Sequence, residues 1–331
     1  MNKTLIIAAL SALSALSAGT AMAQSSVTVY GRFNETAESI NLNGTTTKQL
    51  ANDASRLGFK GSEDLGGGLR AGFQLEHGFD ASTGIPSSSA FWGRQSEVNL
   101  SGAFGTIRLG RFFSEAYFAS ADYVSMHNHD TGDSSDALYA YIGRNTNKVA
   151  YRLPTIVKGL SVEGSVSAPE GVAGAARTWD GAVNYNAGAL AMGLGYEKNG
   201  AANQVVARAL VDLGSFVFGG YVQRDTSGFA PTAKLGTRTN IRLSGAYLVG
   251  ASEFHLNVGS AGSYSNVANS SAKQYTIAYN YNLSKRTKVY TYYTGVKDGS
   301  ANIYNAANFG IAKTGSDTKF SAIAFGLRHN F

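Results

Sequence analysis

The chain has 331 residues, of which 40 are glycine, 4 are proline and none is cysteine. Charged residues make up 15% of the chain, below the roughly 25% typical of a soluble domain, although the mean hydropathy is only −0.11. The lack of cysteine excludes disulfides, thiolate metal ligands and cysteine nucleophiles. Few charges without an apolar composition indicate a surface that is neither fully hydrated nor fully buried.

The first 23 residues have the features of a secretory signal peptide. Lys3 is the basic start, residues 5–16 form a short apolar core, and residues 21–23 (Ala-Met-Ala) form a small-x-small cleavage site. Its removal leaves residues 24–331 as one domain of 308 residues with net charge +5, since one lysine is lost from a chain of charge +6. Beyond the signal peptide no run of about 18 apolar residues occurs, which excludes transmembrane helices and leaves a closed barrel as the way to cross a bilayer.

The rest of the chain alternates apolar and polar residues in short segments, the period of a β-strand. The predicted strands span residues 26–41, 55–64, 69–80, 91–101, 106–112, 148–154, 160–168, 177–186, 190–198, 204–213, 216–224, 238–249, 253–264, 273–283, 287–297 and 318–331. Residues 43–53 are predicted to form a polar loop. Short turns alternate with longer loops, and about sixteen strands in this arrangement are typical of an outer-membrane barrel, with a water-filled lumen at this strand number.

The last segment shows the pattern most clearly. Ile323, Phe325, Leu327 and His329 share one face with the terminal Phe331, and small or polar residues form the other face. We expect this strand to close a barrel in a membrane, with an aromatic residue at the interface. The alternative is an ordinary terminal strand of a soluble β-protein. The predicted fold class is therefore all-β: a transmembrane antiparallel barrel of about 16 strands.

One connection, residues 113–143, is much longer than the others. It is rich in aromatic residues and carries the acids Glu115, Asp122, Asp130, Asp133 and Asp136. Long loops of this kind are usually functional or disordered, and the aromatic content favours packing. We predict that it folds into the lumen, where it narrows the pore and places acids opposite basic residues.

The basic residues predicted to line the lumen share the polar face of their strands. They are Arg32, Arg56, Lys60, Arg208, Arg238 and Arg242, with Arg94 and Arg144 flanking the long loop in sequence. A net basic lining concentrates anions, although any single arginine is equally explained as a hydrated lumen residue. Arg94 has the parity of the apolar Val98 and Leu100, so its assignment requires a β-bulge or is wrong. Arg111 has outward parity and is predicted to lie near an interface or beneath a neighbouring protomer.

Several motifs resemble the general porins of neisserial and other β-proteobacterial outer membranes. They occur along the whole mature chain, at residues 25–31 (SSVTVYG), 55–61 (SRLGFKG), 63–69 (EDLGGGL), 104–111 (FGTIRLGR), 282–286 (NLSKR) and 326–331 (GLRHNF). The resemblance implies a homotrimer of sixteen-stranded barrels in the outer membrane, with the third outer loop as the constriction. It implies small anionic or neutral solutes in transit, contact with membrane lipid and lipopolysaccharide, no cofactor, and recognition by the barrel assembly machinery through Phe331.

The resemblance also assigns positions at the constriction. It implies that Arg56, Arg94 and Arg144 line the narrowest part of the pore and that Glu76 is an acidic member of it. The acids of the long loop cannot be matched one by one, and Asp122 is the expected member. Lys60 is added from its parity alone.

Other functions remain as alternatives. A lipase or protease built on a barrel would need a nucleophile site, but none of the five histidines lies in a catalytic signature. A channel specific for sugars, peptides or particular anions is the third possibility, since tyrosines could form an aromatic track. Residues 127–130 (HNHD) could bind a metal, but a polar loop explains them as well. The secretion signal argues against nucleic-acid binding.

Overall fold

The computed structural model describes residues 26–124, 136–141, 143–169, 176–229, 234–301 and 319–331. The predicted signal peptide and residues 127–130 lie outside this part of the chain. The strands are β1 Ser26–Leu42, β2 Thr45–Asn52, β3 Arg56–Gly66, β4 Leu69–Gly78, β5 Gln95–Gly102, β6 Gly105–Phe113, β7 Arg144–Arg152, β8 Leu160–Ser167, β9 Thr178–Ala187, β10 Leu190–Asn199, β11 Ala202–Asp212, β12 Phe216–Thr226, β13 Thr237–Val249, β14 Ser252–Ala261, β15 Ala272–Asn282, β16 Thr287–Asp298 and β17 Lys319–Asn330.

These strands form one closed antiparallel sheet. Apart from β2 and β3, each strand pairs with its neighbours in sequence, and β17 pairs with β1 from Arg32 opposite Asn330 to Leu42 opposite Phe320. Strands β2 and β3 both pair with β1, one after the other, so together they occupy a single position in the wall. The described residues therefore form a barrel of sixteen strand positions, which confirms the predicted fold class.

Burial in the barrel is the reverse of that in a soluble protein. In β15, Ile277 is 57% exposed on the outer face, whereas its neighbour Thr276 is 1% exposed on the inner face. The same alternation occurs along β10 to β14, where exposed leucines, valines and phenylalanines point outward. Because a wall of exposed apolar side chains is stable only in contact with lipid, the outer surface faces a membrane.

The chain closes its barrel with its last residue. The backbone N–H of Gly31 donates to the carbonyl oxygen of Phe331 over 3.0 Å, and the N–H of Phe331 donates back over 3.1 Å. The Phe331 ring lies where a side chain at residue 31 would be, since a Cβ atom there would be 2.3 Å from the ring. Glycine at this position therefore allows the terminal ring to pack over β1.

One predicted loop is a strand in the structure. Residues 43–53 were expected to form a polar loop, but Thr45–Asn52 form β2 and pair with the outer half of β1. The prediction is wrong because polar residues on both sides of this segment hide the alternation, and its threonines have high β-propensity. The chain turns instead at Asn43 and Gly44, both of which have positive φ.

Two short helices interrupt the strands, α1 at Glu115–Phe118 and α2 at Ala121–Val124. Both lie in the long connection between β6 and β7. No helix in the described part of the chain has the length and apolarity needed to cross a bilayer.

Candidate functional site

The long loop folds into the barrel, as predicted. Helix α1 begins at Ser114, whose Oγ accepts a hydrogen bond from the N–H of Tyr117 over 3.2 Å. It packs against β9 and β10, where glycines allow the backbones to approach. A Cβ atom at Gly193 would lie 2.0 Å from the carbonyl oxygen of Ala119, and one at Gly195 would lie 2.9 Å from Ala116.

Polar side chains of the wall hold the loop in place along its length. Arg208 Nε donates to the carbonyl oxygen of Ala119 over 2.7 Å, and Arg242 Nη1 lies 3.0 Å from Asp136 Oδ2. The amide of Gln223 makes two hydrogen bonds to the backbone of Ala140, accepting over 3.0 Å and donating over 2.6 Å. These partners lie on β11, β12 and β13. The loop then continues along the wall, where the N–H of Ala137 donates to Gln274 Oε1 of β15 over 3.0 Å and the Ala137 side chain packs with Val296 of β16.

The first turn of the loop is held by a network of charges. Arg108 Nη1 lies 2.6 Å from Glu115 and 2.9 Å from Glu163, and Arg108 Nη2 lies 2.8 Å from Glu97. Lys148 and Asp180 form an ion pair of 2.7 Å with almost no exposure of either side chain. Buried charges require this degree of pairing, so the network fixes the position at which the loop enters the lumen.

The other side of the lumen carries a basic cluster, which we define as Arg56, Arg94 and Lys60 with the acid Glu76. Arg94 Nε lies 2.6 Å from Glu76 Oε1, and Arg56 Nε lies 3.8 Å from Glu76 Oε2. The Tyr30 hydroxyl donates to Glu76 over 3.1 Å, and Lys60 Nζ lies 5.4 Å from the centroid of the Tyr30 ring. With three positive charges and one negative charge, the basic cluster itself carries a net positive charge.

The position of Arg94 resolves the conflict in its parity. Strand β5 begins at Gln95, and the N–H of Arg94 donates to the carbonyl oxygen of Glu76 over 3.1 Å. The side chains of Arg94 and Gln95 both reach lumen-facing residues of β4, at Glu76 and Gln74 respectively. Arg94 lies in the loop before β5, and the register between β4 and β5 is regular, so the strand alternation does not extend to Arg94.

The loop leading to Arg94 is ordered by its own side chains. Asp80 accepts hydrogen bonds from the N–H and the hydroxyl of Ser82 and from the N–H of Thr83, at 2.9, 2.7 and 3.3 Å. These hydrogen bonds, led by that of the Ser82 hydroxyl, hold the pKa of the Asp80 carboxyl below its ordinary value. The hydrogen-bonded turn at Asp80 therefore fixes the path of the β4–β5 loop, which places the Arg94 side chain in the lumen.

Two further predicted residues lie on or beside the long loop. Asp122 is in α2 and is exposed. Arg144 is the first residue of β7 and pairs with Phe113, but its side chain lies outside the described part of the molecule. The structure thus brings Arg56, Arg94, Lys60 and Glu76 together on one side and places Asp122 on the loop.

Three arginines of the predicted basic wall lie beneath the loop. Arg208, Arg238 and Arg242 have the expected inward parity but are only 2–5% exposed. Arg238 Nε lies 2.6 Å from Asp225, and its Nη2 donates to the carbonyl oxygen of Leu138. They hold the loop, and their charges are directed to it and to neighbouring acids instead of to the open lumen.

Arg111 has a partner within the chain. Its Nε donates to the carbonyl oxygen of Gly93 over 2.8 Å, next to a register shift between Gly110 and Phe112. The chain's own backbone at the loop end of β6 therefore accommodates this guanidinium, so its outward parity does not by itself require a neighbouring protomer.

Sequence reasoning did not identify Arg108 or Tyr30 as members of the site. Arg108 alternates with the outward Ile107 and Leu109, so its inward parity was available in the sequence. Its three carboxylate partners come from β5, β8 and the loop, and that convergence depends on the strand register. Tyr30 was visible only as part of a strand motif.

Comparisons with known proteins agree with this architecture. A family model described as Gram-negative porin matches residues 9–301. Outer membrane porin protein 32 of Delftia acidovorans is 30% identical over 374 aligned positions, which cover all of both chains. Major outer membrane protein P.IB of Neisseria meningitidis serogroup A is 35% identical over 162 residues, covering 45% of this chain and 42% of the relative.

Solved structures of other porins have the same fold as this chain. An anion-selective porin from Comamonas acidovorans has a TM-score of 0.79 and 26% identity, covering 93% of this chain and all of the other. OmpF of Salmonella typhi has a TM-score of 0.70 over 92% of this chain and 97% of its own, with 15% identity. The second likeness concerns the fold alone.

Proposed function

This chain belongs to the Gram-negative porin family, and we propose that its residues Arg56, Arg94, Arg144, Lys60, Glu76 and Asp122 line the constriction of its pore. The protein is an outer-membrane porin whose barrel encloses a water-filled channel. Passive diffusion of ions and small hydrophilic solutes through that channel is its function. The channel prefers anions mildly.

One arrangement carries the proposal: the loop occupies one side of the lumen and the basic cluster occupies the other. Solutes pass between them. The guanidiniums of Arg56 and Arg94 are each about one-fifth exposed, so they reach the lumen while Glu76 orients both. Positive charge at a narrow aqueous gap raises the local concentration of anions. The name of the anion-selective Comamonas relative supports the same preference.

Zero-current potentials in a salt gradient test the preference. We expect the double variant Arg56→Gln/Arg94→Gln to move the potential toward cation selectivity, because two of the three cluster charges are removed. Arg224→Gln is the matched control, since Arg224 is exposed on the outer face of β12. An unchanged potential in the double variant, or an equal change in the control, contradicts the assignment.

An aromatic cluster on the loop favours a second candidate, a channel specific for particular solutes. Phe113, Tyr117 and Tyr141 stack on one another, with ring centroids 4.8 Å apart for Phe113–Tyr117 and for Tyr117–Tyr141. Tyr141 is 40% exposed and could contact a sugar ring or an aromatic solute. Such a channel is blocked by its solute, and Tyr141→Ala would relieve the block, whereas a general porin shows no block.

We also propose that the protein assembles as a homotrimer through the face formed by β1, β2, β16 and β17. Glu35 points outward from β1. The backbone N–H groups of Ala81 and Ser82 lie against its carboxylate, but its Oε1 is buried without a hydrogen-bond partner among the described residues. It lines an apolar groove of about 460 Å³ with Leu50, Tyr279 and Phe325. A carboxylate in contact with lipid is costly, and a second copy can supply both apolar contact and donors.

Oligomeric state in native gels tests this interface. Glu35→Arg is expected to abolish the trimer band, whereas Glu63→Arg, at an exposed outward position of β3 near the turn, is expected to keep it. A trimer in both variants would place the interface on another face of the barrel.

The remaining proposals rest on the sequence features described above and on the family resemblance. Residues 1–23 act as a cleaved signal peptide and residues 24–331 as the barrel domain. The assembly machinery recognises Phe331, and the barrel contacts lipopolysaccharide and lipid. The protein is a channel without enzymatic activity; hydrolysis of an ester or peptide by purified protein, lost on mutation of one serine or histidine, would contradict this.

A further inference from the structure

Three lysines stand side by side on the outer face of the barrel. Lys273 of β15 lies directly opposite Lys297 of β16, and Lys297 lies directly opposite Lys319 of β17. All three are exposed and lie at the ends of their strands that adjoin the loops. Because neighbouring strands are about 4.8 Å apart, the row spans roughly 10 Å.

This arrangement is unfavourable without a counter-charge. Like charges directly opposite each other destabilise a sheet, and two such pairs share Lys297. None of the three lysines has an ion-pair partner among the described residues. The described acid nearest in sequence, Asp298, is 2% exposed and has the opposite parity, so it faces the interior. Within the described ranges the row therefore presents three charges without an ion-pair partner, and these can meet an external anion.

The depth of the row identifies the kind of anion. Next to the lysines, toward the middle of the barrel, lie the outward rings of Tyr275 and Tyr293, with centroids 5.9 Å apart. Ile277 and Ile323 lie directly opposite Tyr293, on either side of it, and are 57% and 45% exposed. Aromatic girdles mark the boundary between acyl chains and headgroups. The lysines are consequently at the level of the lipid phosphates.

We propose that Lys273, Lys297 and Lys319 form a binding site for the phosphate groups of lipopolysaccharide. The proposal rests on the assigned function in one respect, because the loop end of a porin faces the outer leaflet. Three adjacent ammonium groups match a lipid that carries several phosphates on one headgroup, and lysine binds phosphate as a point charge. A phospholipid with one phosphate engages only part of the row.

Lipid titration of the mature chain, folded in detergent, tests the site. The probes are diphosphoryl lipid A, its dephosphorylated form and phosphatidylglycerol, with bound lipid measured by native mass spectrometry. Each basic residue near a lipid surface contributes about fivefold to affinity. The triple variant Lys273→Gln/Lys297→Gln/Lys319→Gln should therefore bind diphosphoryl lipid A about 100-fold more weakly.

Two variants serve as controls. Lys158→Gln/Lys285→Gln/Arg286→Gln removes the same charge from exposed turn positions and is expected to bind as wild type. The triple variant Lys273→Arg/Lys297→Arg/Lys319→Arg is expected to keep most of the affinity for diphosphoryl lipid A.

Several results would overturn the site. The site is wrong if the Gln triple variant binds diphosphoryl lipid A as tightly as wild type, or if the turn control loses as much affinity as the Gln triple. It is also wrong if wild type binds the dephosphorylated lipid as tightly as the diphosphoryl form. The same holds if phosphatidylglycerol binds with the same affinity and the same dependence on the three lysines. Bilayer conductance separates this proposal from the channel function, since the Gln triple should conduct as wild type. Absence of conductance in every variant, with lipid binding intact, contradicts the channel function and supports the lipid site.

Discussion

Arg208 Nε donates a hydrogen bond to the carbonyl oxygen of Ala119 over 2.7 Å, which ties the constriction loop to the barrel wall across 89 residues of sequence. The guanidinium is 4% exposed and also donates to Asn184 over 3.0 Å. The alternation of its strand places Arg208 on the lumen face, and there its side chain holds the loop instead of lining the open pore.

Removing this anchor should loosen the loop. We expect Arg208→Gln/Arg242→Gln to increase the noise and the frequency of brief closures in single-channel currents several-fold, because the contacts with Ala119 and Asp136 are lost. Planar-bilayer recordings at fixed voltage measure this. Arg224→Gln, on the outer face of the same wall, is the control, and quiet currents in the double variant would show that the remaining contacts suffice.

The acid of the basic cluster should oppose its selectivity. Glu76→Gln removes a carboxylate that contacts both Arg56 and Arg94, so we predict a stronger preference for anions. Zero-current potentials measure the change, with Glu63→Gln on the outer face of β3 as the control. A shift toward cations would indicate that Glu76 acts mainly by positioning the two arginines.

The buried ion pair of Lys148 and Asp180 should contribute strongly to stability. Breaking such a pair typically costs about 3–5 kcal/mol, because one charge remains buried without a partner. We expect that loss in the free energy of unfolding for Lys148→Met, measured by urea titration in detergent, and almost none for the exposed Lys158→Met. The double variant Lys148→Met/Asp180→Leu should recover part of the loss; no recovery would mean that the other contacts of Asp180 dominate.

Barrel closure should be sensitive to residue 31. A Cβ atom at Gly31 would lie 2.3 Å from the Phe331 ring and 2.6 Å from the carbonyl oxygen of Arg56. Overpacking of this kind costs about 1–3 kcal/mol, so Gly31→Ala should reduce the fraction of heat-modifiable folded barrel on gels.

Gly245→Ala is the matched control for closure. A Cβ atom there would lie 3.5 Å from the nearest ring atom, at ordinary contact distance. Equal folding yields for the two variants would contradict the importance of the Gly31–Phe331 contact.

The sequence alone predicts the barrel well because lipid and water impose a strict alternation on each strand. Strands such as β15 and β17 show it without interruption. Strand β2 was missed because it is polar on both sides. It projects from the loop half of the barrel, where Thr45 and its neighbours are exposed and neither face must be apolar.

The site was less predictable because its contacts depend on register and on the path of one loop. Arg56 was identified from its motif, but its meeting with Arg94 through Glu76 depends on the path of the loop before β5, which alternation cannot show. The covering of Arg238 and Arg242 depends on where the loop lies, and only the folded chain gives that position.

The proposed function requires an open aqueous passage between the loop and the basic cluster. Swelling of proteoliposomes in uncharged sugars of increasing size tests it most directly. We expect rapid swelling with monosaccharides and a steep fall in the swelling rate as solute size increases. Vesicles that contain folded protein and do not swell with any of these sugars would contradict it.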